Sequence, residues 1–274
     1  MSAAVAILGV DFTSAPRRAK PIVAARGRLA RGALVLEAIE PLADWPAFER
    51  LLAAPGPWIG GFDFPFGLPR AAVRDLRWPA QWEALVRHCE AMGRAAFRTA
   101  LDAYRAQRPA GDKYPHRATD LPARSHSPLK LVNPPVALMF LEGAPRLVAA
   151  GVHVPGLRDG DTTRIAVEAY PGFAARALTR ESYKSDEARK QTPARRAARA
   201  AIVRALRRGE PLGLRLEASR ALLAALVEDA TGDRLDAALA ALQAAWCWRR
   251  RARNFGLPRA ADPLEGWIAT ARPA

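Results

Sequence analysis

Cysteine and lysine are both scarce in this chain of 274 residues. Cys89 and Cys247 are its only thiols, and no companion ligands surround either in the sequence. That argues against a disulfide framework and reads as two reduced core residues of a cytoplasmic protein. Ammonium groups come only from Lys20, Lys113, Lys130, Lys184 and Lys190, so arginine makes up most of the 42 basic residues. No run of 18 apolar residues exists, so no membrane-spanning helix is expected. The N-terminus has neither a basic leader nor a small-residue cleavage site, so no secretory signal is expected. An internal repeat, a low-complexity tail and a Gly-x-x-x-x-Gly-Lys phosphate loop are all missing. What remains is half hydrophobic and a quarter charged, as in an ordinary globular protein. The formal net charge of +15 points toward a polyanionic partner.

The apolar run at 3–11 reads as a buried strand. Residues 20–28 and 33–40, punctuated by Gly27 and Gly32, read as two further strands that complete a meander. Asp44 is placed to cap a helix with Pro46 in its first turn and Phe48, Leu51 and Leu52 on one face. Pro55-Gly56-Pro57 ends that helix, and residues 58–63 form a fourth strand. This β-β-β-α-β order is the opening of a ribonuclease H-like domain, an α/β fold with a mixed sheet flanked by helices. Its first and fourth strands lie side by side in parallel. Helices are expected at about 80–107, 136–147, 187–208, 215–229 and 232–249, with a short one after Tyr170-Pro171 and a strand at 163–168. Residues 109–135 hold six prolines and little periodicity, which predicts a loop or lid. The whole reads as a single domain, 1–274, with a mainly helical insertion at 64–160.

Acids stand at the ends of these elements. Asp11 closes the first strand, Asp63 the fourth and Glu168 the strand at 163–168, while Asp233 and Asp236 open the last helix. Carboxylates are costly to bury unless a cation or a hydrogen bond compensates. Taken singly, each is most simply a turn residue or a cap. Asp233 suits a helix N-cap as well as a ligand, and Asp229 suits a solvated position. Asp11 and Asp63 together fit the cap reading poorly, because no helix starts after Asp11 and Asp63 runs into Phe64-Pro65. A cluster of hard oxygens suits Mg²⁺ or Mn²⁺. Asp11 would then bridge two ions, Asp63 would bind one, and Asp233 or Asp236, three apart on one helix face, would complete the other. Glu168 would be a ligand or would orient a water.

Gly9-Val10-Asp11, Phe62-Asp63-Phe64-Pro65-Phe66-Gly67-Leu68-Pro69, Glu168-Ala169-Tyr170-Pro171, Tyr183-Lys184 and Gly232-Asp233-Arg234-Leu235-Asp236-Ala237 occur in that order. In them the chain resembles the domain-of-unknown-function 429 family, described as predicted nucleases with a ribonuclease H-like fold. The resemblance implies metal-dependent hydrolysis of nucleic acid, RNA or DNA, leaving a 3′-hydroxyl and a 5′-phosphate. Asp11, Asp63, Glu168, Asp236 and Lys184 would be the catalytic set. Members of that family often carry His where this chain has Gly232.

Lys184, after Tyr183, is the lysine best placed to contact a scissile phosphate. The arginines of helix 187–208 (Arg189, Arg195, Arg196, Arg199, Arg204, Arg207, Arg208), with Lys190, are expected to face outward, and Arg249, Arg250, Arg251 and Arg253 close the last helix. Both groups suit either a solvated face or a phosphate-tracking groove. The loop bases Lys113, His116, Arg117, Arg124, His126 and Lys130 suggest a basic lid. No Cys/His spacing supports zinc there. Two other functions fit the same residues. One is a non-catalytic nucleic-acid or partner-binding module. The other is a nucleotide-binding ATPase or kinase-like protein, because Asp11-Phe12-Thr13-Ser14 resembles the first phosphate loop of sugar kinases and actin, though no second copy of that loop is present.

Overall fold

The computed structural model describes residues 5–273. Its centre is a seven-stranded mixed sheet in the order β5-β6-β4-β1-β2-β3-β7. The strands are β1 (Ala6–Asp11), β2 (Ile22–Ala30), β3 (Ala33–Leu42), β4 (Trp58–Phe62), β5 (Val152–His153), β6 (Asp161–Glu168) and β7 (Arg215–Glu217). β1, β2 and β3 form the expected antiparallel meander. β1 then pairs in parallel with β4, and β4 with β6. Residues 3 and 4 of the expected first strand lie outside the described residues. Ile7, Leu8 and Val10 are all buried, as a strand covered on both faces requires.

Helices cover both faces: α1 (Trp45–Ala53), α2 (Arg70–Asp75), α3 (Trp82–Ala106), α4 (Asp120–Ala123), α5 (Val136–Ala149), α6 (Pro171–Arg176), α7 (Pro193–Arg208), α8 (Arg220–Glu228) and α9 (Asp233–Arg249). Asp44 caps α1 as read, accepting from the Ala47 amide at 2.8 Å. On one face of the sheet, α1, α3 and α5 enclose Phe48, Phe62, Phe97 and Phe140. On the other, Ile7, Ile59 and Ile165 pack against α7 and α9. Cys89 and Cys247 lie one in each core, and burial pushes both thiols up to about 12.

α9 is buried almost all round, as a helix apolar on every side must be. It lies directly on the strands because Gly9 and Gly61 have no side chains. A Cβ on Gly9 would stand 2.1 Å from the Ala237 carbonyl oxygen, and one on Gly61 would stand 2.4 Å from that of Ala240. Facing alanines on the helix complete this close approach.

The segment 109–135 is not a free lid. It contains a 3₁₀ turn at Ala110–Asp112 and the short α4, and it buries Arg117, Thr119, Asp120 and Ser127. Residues 262–271 hold it from the other side. Arg117 donates to the Glu265 carbonyl oxygen at 3.0 Å, the Ala118 amide to Glu265 Oε2 at 3.0 Å, and the Ile268 amide to Thr119 Oγ1 at 2.9 Å.

Candidate acidic site at the strand ends

Strand alternation decides which acids meet. Val10 and Phe62 are register partners, and so are Phe62 and Glu168. These three share a row and point to one face of the sheet. Asp11 and Asp63 stand one residue further on and point to the other face, where α9 lies. The Asp63 amide extends the ladder by donating to the Val10 carbonyl at 2.9 Å. The glycines two residues before each acid seat α9 on that same face. The repeated Gly-x-Asp therefore has one physical purpose: the glycine admits the helix, and the aspartate meets its first turn.

That turn brings Asp233 and Asp236 within Coulombic reach of Asp11. Asp236 is fully buried and accepts from the Tyr183 hydroxyl at 2.7 Å. The Lys184 ammonium contacts its other oxygen. Arg199 fixes this pair in place: it donates to the Tyr183 carbonyl and to the Val227 carbonyl, both at 2.7 Å. Gly232, with φ at +80°, ends the approach to α9, and a Cβ there would stand 2.6 Å from Lys184 Cβ. A His in place of Gly232 would displace Lys184.

Asp233 is the first residue of α9 rather than its cap, because Gly232 holds the cap position. Asp229 caps instead of pointing into solvent: it accepts from the Arg234 amide at 2.9 Å and from the Thr231 hydroxyl at 2.7 Å. This leaves Asp233 to meet Lys20, whose ammonium lies 3.0 Å away and 2.8 Å from Asp186.

Asp11 is nine-tenths buried, and among the described residues neither it nor Asp63 accepts a hydrogen bond. Burial pushes the Asp63 carboxyl up to about 7, with Asp236 and Glu168 adding to the rise and Lys184 opposing it. Asp11 is raised well above the usual carboxylate range, chiefly by burial and further by Asp236, Asp233 and Asp63. Burial alone would lower Lys184, but Asp236, Tyr183 and Asp11 outweigh it and hold the ammonium well above its ordinary range.

Glu168 lines the same cavity and lies within Coulombic reach of Asp63, but its carboxylate is already paired. Both its oxygens are held by Arg117, at 2.7 and 2.8 Å, and the Phe66 amide donates to it at 2.9 Å. Asp120 takes the rest of the Arg117 guanidinium. Glu168 was expected as a metal ligand or a water-orienting group; its oxygens are engaged by Arg117, because strand parity turns the side chain to the face opposite Asp11 and Asp63.

Asp11, Asp63, Asp233, Lys20 and Lys184 line a cavity of about 890 Å³. Phe64, Pro65, Pro135, Val136 and Met139 give it an apolar wall, and Arg176, Arg180 and His126 add positive charge. Among the described residues, no group of three or more His, Cys, Asp or Glu is arranged so that it could hold a metal ion together. The basic face expected on α7 is partly used up internally. Arg199 is buried, Arg196 pairs with Glu228 and Arg208 with Glu210. At the end of α9, Arg250 and Arg251 lie over Trp246 and Trp248. Lys20 and Arg199 were not singled out from sequence as site residues. Lys20 carried one signal, the scarcity of lysine in an arginine-rich chain.

No protein-family model, curated protein or solved structure matches the chain.

Proposed function

We propose that this protein is a divalent-metal-dependent nuclease with a ribonuclease H-like fold, hydrolysing nucleic acid phosphodiesters at the acidic end of β1 and β4. The observation that carries this reading is a pair of strand-end carboxylates, Asp11 and Asp63, which open to one cavity, have no hydrogen-bond partners among the described residues, and face the first turn of α9. The donor set fits Mg²⁺ or Mn²⁺: hard oxygens, recessed from bulk water, with Asp11 and Asp63 left uncompensated. Asp11, Asp63, Asp233 and Asp236 would hold the ions. Bound there, the ions would supply charge neutralisation and activation of water for attack on phosphorus. The chain contributes the rest. Tyr183 and Arg199 fix the position of Asp236 and Lys184, the apolar wall excludes water from one side, and Lys184, Arg176 and Arg180 attract the phosphate.

The test is a nuclease assay with Mg²⁺ or Mn²⁺ on branched, single-stranded and hybrid substrates. Cleavage that Asp11→Asn abolishes is expected, and no cleavage above that variant overturns the proposal. Thr13 and Ser14 line the same cavity directly after Asp11, which favours a nucleotide-binding ATPase or kinase-like protein as the second reading. Thermal stabilisation by ATP but not by oligonucleotide would select it. The ammonium groups already paired with Asp233 and Asp236 suit a non-catalytic binding module. Failure of millimolar Mn²⁺ to bind would select that.

A further inference from the structure

Two of the five lysines in the chain end in the acid cluster, one on each aspartate of α9. Lys184 reaches Asp236 from the 183–185 segment and also lies within Coulombic reach of Asp11 and Asp63. Lys20 reaches Asp233 from the turn closed by the Arg17–Lys20 backbone pair. Neither stem is packed into the core: the Lys184 side chain is 42% exposed and that of Lys20 is 32% exposed. Both line the cavity. Each lysine can therefore withdraw its ammonium group without opening the protein interior.

Four aspartates share two ammonium groups. Asp233 and Asp236 take both, and among the described residues the Asp11 and Asp63 carboxyls have no hydrogen-bond partner. Two divalent cations would match four carboxylates and leave both ammonium groups free. A lysine charge and a metal ion cannot share one carboxylate oxygen at contact distance without strong repulsion.

We propose that Lys184 and Lys20 are resident counter-ions that exchange with divalent metal. In the metal-free protein they neutralise Asp236 and Asp233, and entry of the ions drives them into the cavity, where they become its anion-binding groups. This rests on the metal reading above and adds to it an order of events: the site gains affinity for phosphate only after it has taken up metal. Lys184 is the stronger competitor, because Asp236 is fully buried and Asp233 is not.

The experiment measures Mn²⁺ binding by electron paramagnetic resonance of the free ion, together with retention of inorganic phosphate with and without Mn²⁺. Lys184→Met keeps the stem and removes the charge. It is expected to bind Mn²⁺ about tenfold or more tightly than the unmodified chain, and to lose the phosphate binding that Mn²⁺ induces. Lys20→Met is expected to shift both in the same direction by less. Lys184→Arg keeps the charge and controls for packing, and it is expected to gain no Mn²⁺ affinity. If Lys184→Met melts cooperatively but binds Mn²⁺ no more tightly, the counter-ion proposal is overturned and the metal site stands. If neither the unmodified chain nor Lys184→Met binds millimolar Mn²⁺, both fall together. Phosphate binding that is equal with and without Mn²⁺ overturns the order of events.

Discussion

Burial ties the protonation of Asp63 to the stability of the metal-free protein. The Asp63 carboxyl sits at about 7, against an ordinary 3.8. Between those values the native state keeps a proton that the unfolded chain has released. Stability of the metal-free protein therefore falls as pH rises through that window, and the raised Asp11 carboxyl acts in the same direction. Differential scanning calorimetry from about pH 4 to about pH 8 should show the melting temperature declining. In Asp63→Asn the Asp63 share of that decline should vanish, while the share owed to Asp11, Asp233 and Glu168, which burial also raises, should remain. Divalent affinity should rise over the same window, because binding requires the deprotonated carboxylate. Glu168 makes the opposite case. Glu168→Gln breaks a buried pair with Arg117 and should cost about 3–5 kcal/mol of stability, while leaving Mn²⁺ affinity nearly unchanged. A large loss of Mn²⁺ affinity in the folded variant would return Glu168 to the ligand set. Asp11, Asp63 and Asp236 were legible because each ends or begins an element that its own residues specify. Glu168 was not, because sequence shows that a strand ends in an acid but not which face the last side chain takes. Lys20 was not, because only the folded turn carries it to α9.

At the level of elements, the seat of α9 is set by Gly9 and Gly61. Gly9→Ala places a methyl group where the Ala237 carbonyl oxygen now lies, so the helix must lift. Overpacking of this kind costs about 1–3 kcal/mol. Under the proposed nuclease function, catalysis should suffer more than stability, since the same shift carries Asp236 away from Asp11. Chemical denaturation beside the nuclease assay would show it, and equal small losses in both would contradict the seating role. β1 to β4 and α1 were readable from alternation, caps and proline. β5, two residues long, and β7, three residues long, are too short to show a period. The 109–135 segment misled for another reason. Its prolines and charges resemble those of a loop, yet Arg117 and Asp120 are buried because Glu168 and Glu265 meet them from distant parts of the chain.

For the molecule as a whole, the charge of +15 already counts every acid, so the internal pairs alter where the positive charge lies rather than its total. Arg117, Arg196, Arg199 and Arg208 are already committed to internal partners. Oligonucleotide binding should still weaken with salt, by about tenfold or more between ~50 and ~200 mM. Arg196→Gln should change that slope little, and a fluorescence-anisotropy titration across salt reads both. A flat salt response would remove the polyanion as partner. The sign of the charge was plain from composition, whereas its distribution depended on pairings across the fold. The layout of the acid cluster also has a consequence in time. Asp11 and Asp63 leave the ribosome early, and Lys184 and Asp236 follow more than a hundred residues behind. A nascent chain therefore carries only the Asp11 and Asp63 half of the cluster, and whatever chemistry the cavity performs has to wait until the segment from Tyr183 to α9 has been made and folded onto the strands.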